Sequence, residues 1–134
     1  MNIKSIIPRA APAALAILAA STNAAYAGPQ DYEFQLAASE VKQGPEAEVS
    51  VKLIDKRTGA PVPDAVIFTT RMDMAPDGME TMTTSVESIP TRQPGVYRFR
   101  TNLSMEGRWR FKMAAKVQGE VDTVQGEVVL KAIP

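Results

Sequence analysis

The sequence predicts an all-β protein, a two-sheet β-sandwich of about seven strands. Apolar and polar residues alternate with a period of two through most of the chain, and Gly and Pro turns interrupt that alternation at regular spacing. No stretch carries a convincing helical period, which leaves packed sheets as the way to bury the apolar face.

The elements follow in order. Tyr32, Phe34, Leu36 and Ala38 alternate with Glu33, Gln35 and Ala37, the pattern of a strand with one buried face. Past the Gly44-Pro45 turn, Ala47, Val49, Val51 and Leu53 alternate with Glu48, Ser50 and Lys52. Residues 55–65 hold Thr58, Gly59, Pro61 and Pro63, turn formers that exclude a central strand and predict an exposed connection. A third strand runs from Val66 to about Asp73, a methionine-rich segment continues from its end, and Ala75-Pro76-Asp77-Gly78 bends between Met74 and Met79. Residues 82–87 are rich in Thr and Val and predict a short strand, followed by a loop from Pro90 to Gly95. In residues 96–101, Tyr97 and Phe99 take one face, Arg98 and Arg100 the other. The clearest strand sets Trp109, Phe111, Met113, Ala115 and Val117 against Arg108, Arg110, Lys112, Ala114 and Lys116, and a last strand spans about residues 121–131. The predicted core comprises Phe34, Leu36, Val49, Val51, Leu53, Phe68, Tyr97, Phe99, Trp109, Phe111 and Val128.

Ahead of this domain, Lys4 and Arg9 precede an apolar run from Ala10 to Ala20 and a small-x-small site, Ala25-Tyr26-Ala27. That is the order of a secretory signal peptide, expected over residues 1–27 with the mature domain at 28–134. The run is shorter than the roughly 20 apolar residues a membrane span needs, so no stable membrane insertion is expected after cleavage. The chain has 15 basic and 15 acidic residues, and loss of Lys4 and Arg9 leaves a slight acidic excess. That balance points away from nucleic acid. With no cysteine the fold has no disulfide to rely on, which suits a bacterial periplasm. The alternation of Arg98, Arg100, Arg108, Arg110 and Lys112 could form a positive strip on one sheet, but with Glu48, Glu120 and Glu127 nearby the expected reading is a solvated face laced with ion pairs rather than an anion or nucleic-acid site.

Histidine is absent too, so Ser-His-Asp and Cys-His catalysis are ruled out, and neither a Gly-rich phosphate loop nor a zinc spacing appears. The protein is expected not to be an enzyme. What remains chemically distinctive is sulfur: Met72, Met74, Met79 and Met82 fall within 11 residues. Thioether is the soft ligand left to a chain without imidazole or thiolate, and it selects Cu(I). Met72 and Met74, two apart, would project from one strand face, and Met79 or Met82 could join them across the bend. The same methionines could instead form an adaptable partner surface or fill core gaps. Asp73, Asp77 and Glu80, interleaved with them, argue against burial. Met113 continues the apolar face of Trp109 and packs in the core. Met105 either caps the sandwich or joins the methionine loop.

The order of motifs resembles a known family. A Val-x-Leu-x-Asp strand end (Val51 to Asp55) leads to Gly59-x-Pro61-Val62-x-x-Ala65, then a methionine segment, then Pro94-Gly95-Val96-Tyr97 and Ser104-Met105-x-Gly107-x-Trp109. Over roughly residues 46–117 the chain resembles the YtkA-like and FixH-like family of small exported immunoglobulin-like domains. The resemblance implies an immunoglobulin-like sandwich without enzymatic activity, associated with bacterial copper handling or assembly of respiratory oxidase. It matches Met72, Met74 and Met79 to the family's methionine-rich loop and Met105 to the methionine before Gly and Trp. Unlike FixH-like members, the sequence shows no membrane anchor. The expected function is that of a periplasmic copper carrier or buffer in metal homeostasis. It would bind Cu(I), or Ag(I), through Met72, Met74, Met79 and Met82 or Met105, and hand it to another exported or membrane copper protein. The alternative is a non-catalytic interaction module that docks onto a membrane transporter or a respiratory-oxidase assembly factor.

Overall fold

The computed structural model describes residues 29–134, a β-sandwich. Its strands are β1 (Tyr32–Leu36), β2 (Glu40–Lys42), β3 (Gly44–Asp55), β4 (Ala60–Pro61), β5 (Val66–Met74), β6 (Met79–Thr84), β7 (Val86–Ile89), β8 (Val96–Leu103), β9 (Gly107–Lys116) and β10 (Val124–Ile133). The signal peptide expected at 1–27 lies outside the described residues.

One sheet has the order β1-β3-β8-β7, with β4 appended to β3, and the other has the order β2-β10-β9-β5-β6. Pairing is antiparallel except between β10 and β2. The ten strands exceed the seven expected for two reasons. Elements as short as β2 and β4 carry no readable period, and the single strand expected at 82–87 is two strands that part at Ser85 and enter different sheets. Thr101 marks that parting, its hydroxyl donating 2.7 Å to the Ser85 carbonyl. The same device recurs on the opposite flank, where consecutive β1 and β2 form the edges of the two sheets.

The core fills the space between the sheets with Val49, Val51, Leu53, Phe99, Leu103, Trp109, Phe111 and Leu130, each at most 1% exposed. Phe99 from one sheet meets Phe111 from the other edge-to-face, with ring centroids 5.0 Å apart. Leu36, Tyr97 and Val128 border this core half-buried. Phe68 corrects the predicted core: it is 51% exposed. Ile67 pairs with Ala115 and Thr69 with Ala114, so Phe68 is the extra residue of a β-bulge. The bulge reverses the in/out phase of β5, expelling Phe68 while Met72 and Met74 turn inward.

Such a positive strip does not form on one sheet. Arg98 and Arg100 lie on β8, Arg108, Arg110 and Lys112 on β9, and these strands belong to opposite sheets. Arg98 is paired with Glu48, as expected. Glu120 instead accepts the Tyr32 hydroxyl at 2.6 Å, and burial together with that carboxylate pushes the phenol up to about 12.

Candidate metal centre

β5 ends in Met72, Asp73 and Met74, and all three side chains are fully buried. This overturns the expectation that acidic residues keep the segment exposed. Asp73 is buried because its charge is matched: Oδ2 accepts from Arg71 Nε at 2.7 Å and Arg110 Nη2 at 2.9 Å, and Oδ1 accepts the Ala75 N–H at 3.0 Å. Asp73 and Arg110 are register partners across β5 and β9, placing opposite charges face to face. Burial works to raise the Asp73 carboxyl, but hydrogen bonds from Arg110, the Ala75 amide and Arg71 outweigh it and hold it below its ordinary value. Arg110 also reaches Glu80 of β6 at 3.4 Å, so one cation ties three adjacent strands.

Met72 and Met74 share the inward face, as their spacing predicts, but that face is the hydrophobic core. Met72 lies opposite Phe111 on one side and Thr84 on the other. Met79 and Met82 sit on β6 at the edge of the sheet, each 36% exposed. Met105 is half-buried against the core. Met113 and Trp109 are buried, and Trp109 Nε1 donates to the Met105 carbonyl at 3.2 Å.

At the tip of the β5–β6 hairpin, a ladder irregularity after Asp73 sets Met74 directly opposite Met79. Between them Ala75–Asp77 form a single 3-10 turn, closed by Gly78 in a left-handed conformation. The turn is pinned to the start of β9: Asp77 accepts from the Arg108 amide and from Arg108 Nε, each at 2.8 Å, and Arg108 Nη2 donates to the Pro76 carbonyl at 2.6 Å. Those bonds, the backbone one foremost, lower the Asp77 carboxyl. Gly107 sits beneath the turn with φ +134°, and a Cβ there would lie 2.6 Å from Met74 Cε and 2.5 Å from Asp77 Oδ2. A side chain there would be strained by the positive φ and would have to push the Met74 methyl and the Asp77 carboxylate aside. The loop bearing Met105 therefore closes the same end of the sandwich as Met74 and Met79.

The residues Met74, Met79 and Met105 thus belong to the hairpin tip and the loop packed beside it, whereas Met72 lies deeper along β5 and Met82 further along β6. Soft sulfur donors suit Cu(I). Among the described residues, no group of three or more His, Cys, Asp and Glu side chains could hold a metal ion. Sequence reasoning missed Asp73 and Arg110 as a structural pair, because cross-strand register is what brings them together.

Residues 26–114, more than half the chain, match the YtkA-like family model. The chain belongs to the YtkA-like family. No curated protein sequence matches it. Among solved structures, the ZirS C-terminal domain is similar at 13% identity, over 100% of this chain and 87% of that one, with a TM-score of 0.45. A conjugative transposon lipoprotein from Bacteroides eggerthii is similar at 12% identity, over 75% and 96% of the respective chains, with a TM-score of 0.33. No helix among the described residues is long and apolar enough to cross a membrane.

In this YtkA-like chain the motif residues hold the scaffold. The Tyr97 hydroxyl donates to the Val62 carbonyl at 2.7 Å and accepts the Ala65 amide at 3.0 Å, stitching the Pro-Gly-Val-Tyr motif to the Gly-x-Pro-Val turn. Gly95, at φ +82°, lies so close to Pro61 that a side chain there would collide with it. The Ser-Met-x-Gly-x-Trp motif combines the Gly107 seat for Met74 with the Trp109 bond to Met105.

Proposed function

We propose that this YtkA-like protein is a non-catalytic periplasmic copper-handling protein, a carrier or buffer that binds Cu(I) through Met74, Met79 and Met105. The observation that carries this reading is the opposition of Met74 and Met79 in register beside a turn packed onto the Met105 loop. Two methionines opposed in register and a third on the adjoining loop carry the three thioethers that a three-coordinate soft-metal site would need. Met79 is the exposed ligand, placed to receive an ion from solvent or from a partner, and Met74 is the enclosed one. Thioethers carry no proton to lose, so binding persists at mildly acid pH where histidine or thiolate sites weaken. The family resemblance to copper-handling proteins supports the same reading.

Native mass spectrometry in the presence of Cu(I) tests it. The protein and its Met72→Leu variant take up one ion, and the Met79→Leu/Met105→Leu variant does not. Equal uptake by all three removes the site.

A second reading rests on the exposure of Met79 and Met82 along edge strand β6. Methionine on an open edge serves adaptable contact with a membrane transporter or a respiratory-oxidase assembly factor. Retention of partner binding after leucine replaces both methionines, with Cu(I) uptake lost, would favour this second role.

A further inference from the structure

The solvent face of the β1-β3-β8-β7 sheet carries a second feature, remote from the methionines and independent of the copper reading. An open groove of about 860 Å³ runs across β3, β8 and β7 and is walled by residues 90–93. Arg98 Nη1 donates to the Pro90 carbonyl at 3.0 Å, which holds that wall to the sheet.

The lining is strongly one-signed. Lys52, Arg92, Arg98 and Arg100 face the groove with Glu87 as the sole acidic lining residue. Glu48 engages Arg98 from the side, and Glu87 lies 3.6 Å from Arg100. The Lys52 and Arg92 side chains have no partner among the described residues. In a chain whose charges balance overall, four cations around one shallow groove, with only Glu48 and Glu87 paired to them, leave unneutralised positive charge at one place.

We propose that this groove binds an acidic, extended peptide segment of a partner protein. Guanidinium groups suit carboxylates because they accept them in a planar, two-point geometry. From β3 to β7 is two strand spacings, about 10 Å, the reach of roughly three extended residues. Carboxylates on alternate residues of such a segment point to one side, so they would meet Arg98, Arg100 and the unpartnered Lys52 and Arg92 together. An open cleft, rather than an enclosed cavity, admits a chain that enters and leaves at both ends.

The test uses a fluorescein-labelled octaglutamate peptide at low ionic strength, read by fluorescence anisotropy and by amide shifts of the isotope-labelled protein. Binding is expected to perturb residues 50–52, 87–93 and 96–100. The Lys52→Glu/Arg92→Glu variant is expected to weaken it at least tenfold, and Lys112→Glu/Lys116→Glu, on the other sheet, to leave it within twofold. All four positions are exposed, and thermal melts identify any variant that has lost its fold. Absence of binding, equal loss in both variants, or shifts spread over both sheets would overturn the proposal. So would full displacement of the peptide by millimolar inorganic phosphate, which would mark a small-anion site instead.

Discussion

The two arms of the β5–β6 hairpin carry the same residue type into opposite surroundings. Met72 and Met74 are sealed in the core, while Met79 and Met82 lie on an exposed edge strand. Side-chain chemistry is identical in the two arms, so the difference comes from strand position alone. β5 is covered by β9 and β6 on either side and packs its inner face on the aromatic core, whereas β6 has a neighbour on one side only. The inner arm is therefore part of the core and the outer arm is left accessible, with Met74 at the bend that joins them.

The widest separation should appear in alanine substitutions. Met72→Ala removes a fully buried side chain and should cost about 2–5 kcal/mol in chemical denaturation. Met79→Ala should stay within about 0.5 kcal/mol. Comparable losses in both would erase the distinction between the arms.

Next in size is the charge that accompanies the inner arm. Asp73→Asn keeps the shape but leaves Arg110 without its buried counter-charge, and should cost on the order of 3 kcal/mol. Because the folded protein holds the Asp73 and Asp77 carboxyls below their ordinary value, their stabilisation is complete above about pH 4 and is lost as acid protonates them. A pH series of denaturation midpoints should fall more gently on the acid side for Asp73→Asn. An unchanged acid limb would mean that Asp73 contributes nothing to it.

A smaller loss than at Met72 or Asp73 is expected at the bend. Gly107→Ala forces a Cβ against Met74 and Asp77 at a φ that disfavours it, and should cost on the order of 2 kcal/mol. Under the copper reading it should also reduce Cu(I) uptake, because the seat of Met74 shifts, while the remote Gly119→Ala should leave uptake intact. Loss of uptake in both variants would detach Met74 from the bend.

The sandwich was legible because period-two alternation survives in β1, β3, β8 and β9, where one face is buried along the whole strand. It failed at Phe68, where a bulge reverses the phase, and at Ser85, where one apparent strand divides between sheets. Neither event changes composition, so no pattern marks it. The methionines were legible as a cluster, but their burial was not. Asp73 looked like proof of exposure until the register brought Arg110 alongside it. Met105 could be placed only once Asp77 was found anchored to Arg108, a contact between residues 31 apart in the chain.

The paired edges give this cysteine-free domain an unusual form of reinforcement. On each flank a single run of backbone, β1 into β2 and β6 into β7, leaves one layer and enters the other like a lace through two rows of eyelets. To peel the layers apart, both laces must first be pulled out of their ladders. Separation of the sheets and loss of strand pairing should therefore be one event, with covalent chain performing the clamping that a bridge between cysteines performs elsewhere.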